Sequence, residues 1–118
     1  MAEKYREYSK TIDLNDAKDT WVSYSCYEDG TINIKYWVKN DCIKTIDVIS
    51  KNNLLSTKYL MNLSYNNPNN GYHTKETIEI SKEEHEELIN IQVTSKTLFQ
   101  VLNTYFEKAG INVDDEYK

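Results

Sequence analysis

Between Trp21 and Val38 the chain alternates apolar and polar residues on both sides of a short break, Glu28-Asp29-Gly30, and nothing else in the sequence restricts the fold as much. A period of two marks a half-buried strand, and two such runs around a glycine-containing loop make a β-hairpin. Loop length then decides which side chains share a face, because a slip of one residue sends every side chain to the opposite side. A two-residue Asp29-Gly30 turn would pair Cys26 with Asn33 and Ser25 with Ile34, mixing polar and apolar groups on both faces. A three-residue loop, with Glu28-Asp29 in a type I turn and Gly30 at the left-handed bulge position, pairs Tyr27 with Thr31 and Cys26 with Ile32. Val22, Tyr24, Cys26, Ile32, Ile34, Tyr36 and Val38 then form one apolar face, and Trp21, Ser23, Ser25, Tyr27, Thr31, Asn33, Lys35 and Trp37 form the other. That sorting selects the bulged turn. It also sets Trp21 opposite Trp37 on an otherwise polar face. The pair is read either as cross-strand stabilisation, or a mini-core under the N-terminal segment, or as a contact surface shared with Tyr27.

More strands follow. Lys39-Asn40-Asp41 reads as a turn, and the β-branched run at 42–50 continues the meander until Lys51-Asn52-Asn53 breaks it. Thr57, Tyr59, Met61, Leu63 and Tyr65 alternate with Lys58, Leu60, Asn62 and Ser64 in a further strand, ended by Asn66-Asn67-Pro68-Asn69-Asn70-Gly71. Residues 72–80 form its partner, with Tyr72, Thr74, Ile78 and Ile80 on one face. A stretch at 8–14 is expected to add an edge strand.

The pattern turns helical near the end. Ser81 and Glu84 have capping-box spacing, which predicts a short acidic helix over 82–90, with its glutamates near the positive end of the dipole. Leu98, Val101, Leu102, Tyr105 and Ala109 recur at spacings of three and four, widened by Phe99 and Phe106, and predict a helix over 95–108 that Gly110 stops. An apolar sheet face needs a cover, and this helix is the candidate. The expected fold is therefore α+β: one domain over 1–118, with an antiparallel sheet of five to six strands in a meander of hairpins. A C-terminal helix covers one face, a short acidic helix lies near the edge, and the acidic tail at 112–118 is expected to fray.

Composition narrows the function. The net charge of −5 lies in the C-terminal third: residues 1–75 hold ten Lys or Arg and nine Asp or Glu, whereas 76–118 hold four and ten. Phosphate binding needs clustered cations, and Arg6 is the lone arginine, so direct nucleic-acid binding is not expected. No apolar run approaches the roughly 20 residues that span a bilayer, and the N-terminus lacks the apolar centre of a secretory signal. A cytoplasmic, membrane-free protein is expected, in which Cys26 and Cys42 are structural thiols.

Catalytic groups are sparse. His73 and His85 have no metal-site spacing and read as ordinary exposed residues. Asp41 with Asp47, or Glu76 with Glu79, offer carboxylate pairs that no spacing singles out. No phosphate-binding glycine loop is present. An enzyme, a metal site and a cofactor are therefore not expected.

Ten tyrosines stand against two phenylalanines, which separates a use for the phenol from a use for aromatic bulk. Tyr24, Tyr36, Tyr59 and Tyr65 fall on inward strand faces and Tyr105 on the helix stripe, which leaves Tyr27 outside with Trp21 and Trp37. The asparagine-rich loops read as turn-forming polar surface, and Tyr with Asn and Ser resembles the makeup of adaptable binding surfaces.

The expected function is a non-enzymatic protein-binding module. Its small, acidic, Lys/Asn/Tyr-rich composition is that of inhibitor and immunity proteins of phages and mobile elements, including anti-defence proteins. Such a module would occlude a target protein through Trp21, Tyr27, Asn33, Lys35 and Trp37, with Glu83, Glu84 and Glu87 covering a basic surface. The alternatives are a small-ligand binder sequestering a nucleotide-like signal, and a structural subunit that forms homo-oligomers.

Overall fold

The computed structural model describes residues 6–8, 19–114 and 117. Its elements run β1 (Arg6–Tyr8), β2 (Thr20–Cys26), β3 (Ile32–Val38), β4 (Asp41–Asn52), β5 (Thr57–Asn66) and β6 (His73–Ile80), then α1 (Lys82–Ile89) and α2 (Ser95–Lys108). The six strands form one antiparallel sheet whose spatial order is the chain order. From β2 to β6 the connecting loops are short and admit only antiparallel neighbours, since a parallel neighbour needs a long crossover. An N-terminal edge strand is present as β1 at Arg6–Tyr8, which meets the expected stretch at 8–14 only at Tyr8; 9–14 lies outside the described residues.

The β2–β3 hairpin has the bulged turn. Cys26 lies opposite Ile32 and Trp21 opposite Trp37. The Tyr27 amide donates to the Thr31 carbonyl and the Gly30 amide to the Tyr27 carbonyl, both at 2.9 Å, with Gly30 at φ 87°. Val22, Tyr24, Cys26, Ile32, Ile34 and Tyr36 are all buried, joined from β4 and β5 by Ile46, Val48, Met61 and Leu63. Helix α2 closes this face with Leu98, Leu102, Tyr105 and Phe106, and the Phe99 ring meets Tyr36 at 5.3 Å. Reciprocal caps start both helices: Ser81 with Glu84 on α1, and Thr94 with Thr97 on α2. The fold is α+β, an open sheet covered on one face.

Three features depart from expectation. First, a bulge separates the Tyr36–Lys44 pair from the Trp37–Cys42 pair, leaving Ile43 as the extra residue. Alternation therefore breaks, and Ile43 and Lys44 are both buried at 1% exposure. The Lys44 ammonium lies 5.7 Å from the centroids of Tyr36 and Phe106, whose π faces offset part of the cost of burying a cation.

Second, His85 is buried rather than exposed. Its ring stacks on Tyr59 at 4.3 Å, and its Nε2 lies 2.9 Å from the Gly30 carbonyl oxygen. A carbonyl only accepts, so Nε2 carries the proton in this bond. Third, the described part of the tail is docked, not frayed. Ile111 and Tyr117 are buried, and the Asp114 carboxylate accepts from the Tyr65 hydroxyl at 3.2 Å and from the Asn67 amide. Asn69 donates to the Tyr117 hydroxyl at 2.7 Å. The β5–β6 loop thus turns Asn67 inward as a receptor for the C-terminal segment instead of presenting it as polar surface.

Gly30 is where turn and helix meet. A Cβ there would lie 3.2 Å from His85 Cε1, on a backbone conformation that side-chain-bearing residues rarely adopt. Gly30→Ala should destabilise the fold by about 1–3 kcal/mol, read as a lower urea midpoint at unchanged slope.

Candidate functional site

The face of the sheet opposite α2 is built from the polar halves of the alternating strands. One cross-strand row runs Ser25, Asn33, Asp47, Asn62 and Thr77; the next runs Ser23, Lys35, Thr45, Ser64 and Lys75. The first row is knitted by side chains, since Asn33 donates to Asp47, and Thr77 donates to Asn62 at 2.6 Å. Burial pushes the Asp47 carboxyl up, against the opposing pull of Lys35 and Asn33. Trp21, Trp37 and Cys42, all half-buried, form the next row, alongside Ser23, Lys35 and Thr45. The Cys42 thiol lies 3.1 Å from the Thr45 hydroxyl.

This geometry divides the residues expected to act together. Trp21, Trp37, Lys35 and Asn33 share one surface. Tyr27 shares the face but stands at the far end of β2 from Trp21, about 20 Å away at the rise of a strand. Glu83, Glu84 and Glu87 are on α1, whose His85 and Leu88 pack into the covered side, where the Tyr24 hydroxyl donates to the Leu88 carbonyl at 2.7 Å. The sheet therefore lies between the aromatic face and the acidic helix, and one flat target surface cannot meet both.

Glu84 is committed within the fold. It accepts from the Ser81 amide at 3.0 Å, from the Tyr105 hydroxyl at 2.9 Å and from the Lys108 ammonium at 3.0 Å. The Ser81 amide is the chief reason its carboxyl falls to about 2, with Lys108 and Tyr105 adding to the effect against the opposing influence of burial. Glu83 and Glu87 are exposed. Glu87 borders a groove of about 330 Å³ between α1 and α2, floored by Leu88, Val101 and Tyr105. A second cavity, of about 530 Å³, lies beside Lys44, Asn103 and Glu107.

The largest exposed apolar group in the described structure was not among the sequence candidates. Leu54 and Leu55 sit at the tip of the β4–β5 hairpin at 103% and 96% exposure. Asn53 holds them there: its side-chain oxygen accepts from the Leu55 amide at 2.9 Å and the Ser56 amide at 2.8 Å. The sequence signal was two adjacent leucines inside a polar break, where no strand or helix period can carry them into a core. Among the described residues no group of three or more His, Cys, Asp or Glu side chains is placed to hold a metal ion, and no helix is long and apolar enough to cross a membrane.

The Glu84 network has a pH signature. A carboxyl whose folded pKa falls from 4.5 to about 2 stabilises the fold above pH 4.5, and that contribution is lost as pH falls toward 2. The difference in urea midpoint between the wild type and Glu84→Gln should be full near neutrality and shrink across that window, whereas a constant difference would assign Glu84 a purely uncharged role.

Comparison of the chain with protein-family models, with curated proteins and with solved structures gave no match, so the functional reading rests on the geometry of the chain itself.

Proposed function

We propose that this chain is a non-enzymatic protein-binding module of the inhibitor or immunity type, which lays its open sheet face against a target protein and occludes it. The observation that carries this reading is the uncovered face itself: a Trp21–Trp37 pair beside two polar cross-strand rows, the farther of which is hydrogen-bonded from side chain to side chain. Aromatic anchors beside satisfied polar groups match the composition of protein interfaces, and side chains already tied to one another lose little freedom on docking.

Charge refines the target. The rows carry Lys35 and Lys75 against Asp47, so a neutral to acidic patch on the partner is the complement, with opposite potentials assisting encounter. The acidic residues of α1 face elsewhere and are not part of this contact.

The test is affinity capture from the native host with the wild type, Trp37→Ala and Lys35→Glu, each checked by circular dichroism and melting. A protein held by the wild type and released by both variants at unchanged melting temperature supports the reading. Retention by both variants refutes it, and unfolding of Trp37→Ala returns the tryptophan pair to a purely structural role.

A second reading has one observation in its favour, the cavity beside Lys44. It is of a size suited to a small molecule and is walled by amide, ammonium and carboxylate groups. If it binds a nucleotide-like ligand, a thermal-shift screen should raise the melting temperature at saturating ligand, and Asn103→Leu should abolish the rise.

A further inference from the structure

We propose that the chain self-associates by seating the Leu54-Leu55 tip of one copy in the α1/α2 groove of another. The leucine tip and the groove lie apart from the Trp21–Trp37 rows, although Lys51 and Lys58 continue the open face toward the tip, and the variants below leave Trp37 and Lys35 unaltered, so the two readings are tested separately. The tip is a built projection. The Asn53 amide donates to the Ser56 carbonyl at 2.9 Å, its side chain takes the Leu55 and Ser56 amides, and the Thr57 hydroxyl donates to Asn52 at 2.7 Å. These bonds tie the turn to Asn52 and Asn53 and hold both leucines outward, which lowers the ordering cost of inserting them into a partner.

The charges flanking the tip point to its receptor. Lys51 and Lys58 are a directly opposed cross-strand pair, and both are exposed. Like charges so placed repel, and a carboxylate at the docking surface relieves that repulsion. The groove between α1 and α2 offers the counterpart: an apolar floor of Leu88, Val101 and Tyr105, with Glu87 at its border and Glu83 one turn earlier on the same exposed side of α1. Its volume of about 330 Å³ falls within the range of pockets that enclose compact apolar groups.

A second copy is favoured because projection, receptor and complementary charges all belong to one chain. A lipid surface fits less well. Two lysines fall short of the cluster of about four to eight that marks recognition of anionic lipid, and the chain carries a net charge of −5. The placement also suits closure. Ile80 pairs with Tyr59 near the base of the tip, and α1 follows directly, so tip and groove lie toward the same end of the sheet. A reciprocal exchange about a two-fold axis then ends at a dimer, instead of continuing as a filament.

Sedimentation equilibrium tests this. The wild-type mass should rise with concentration from 13.9 kDa toward twice that value, and Leu54→Ser/Leu55→Ser should hold at 13.9 kDa. Glu87→Lys should weaken association by about tenfold or more, because it opposes lysine to lysine. Adding Lys51→Glu/Lys58→Glu to that variant should restore association by reversing both partners. Four outcomes overturn the proposal: a wild type that stays monomeric at its highest soluble concentration; association that survives loss of the leucines; leucine-dependent association indifferent to Glu87; or, in a monomeric chain, leucine-dependent sedimentation with phosphatidylserine vesicles. All of the altered residues are solvent-exposed, and circular dichroism of each variant verifies an intact fold.

Discussion

The structure depends on the contact between the Gly30 turn and His85. Gly30, at φ 87°, allows the three-residue loop that places Tyr24, Cys26, Ile32 and Ile34 on one face, and without that register the sheet has no apolar side to cover. The same residue offers its carbonyl to His85, whose ring lies on Tyr59 of β5. One imidazole therefore connects the β2–β3 turn, a strand on the other side of β4, and the first helix. A Cβ at Gly30 would press against it, at 3.2 Å from Cε1. Sheet register and helix placement are consequently coupled, and strain at Gly30 is felt in both.

The tyrosine excess finds its cause in the same joining of sheet to C-terminal third. Tyr24 donates to the Leu88 carbonyl at the end of α1, Tyr65 donates to Asp114, Tyr105 donates to Glu84, and Tyr117 accepts from Asn69. Each buried ring supplies apolar area, while its hydroxyl pairs with a polar group on a neighbouring element. Phenylalanine would fill the same volume and leave the Leu88 carbonyl, the Asp114 carboxylate and the Asn67 loop short of a donor or acceptor. Four of the phenols thus fasten one element to another. Burial raises the pKa of the Tyr36, Tyr65 and Tyr105 hydroxyls, with Glu84 adding to the shift at Tyr105.

Electrostatics follow from the layering. The acidic helix α1 belongs to the covered side and the lysines of the polar rows to the open side, so an uneven charge distribution along the chain becomes two faces of different sign. Under the two proposals made above, that separation would give the two sides different partners: a neutral or acidic target for the open face, and a cationic, apolar projection for the α1/α2 groove.

Local pattern by itself determined much of this protein. Alternation around Glu28-Asp29-Gly30 specified the hairpin register, Ser81 with Glu84 the start of α1, and the spacing of Leu98, Leu102 and Tyr105 the stripe of α2, because each of these signals is complete within a few residues. The Trp21, Trp37, Asn33 and Lys35 grouping was legible for the same reason. Only the tertiary structure decided the rest. A bulge at Ile43 put Lys44 beneath Phe106, His85 found Gly30 across 55 positions of chain, and Asn67 received Asp114 across 47. These contacts join groups whose local sequence carries no period pointing inward. Separation of Glu83, Glu84 and Glu87 from the aromatic face arose in the same way, since which side of a sheet a helix covers is settled by packing and by no residue within the helix.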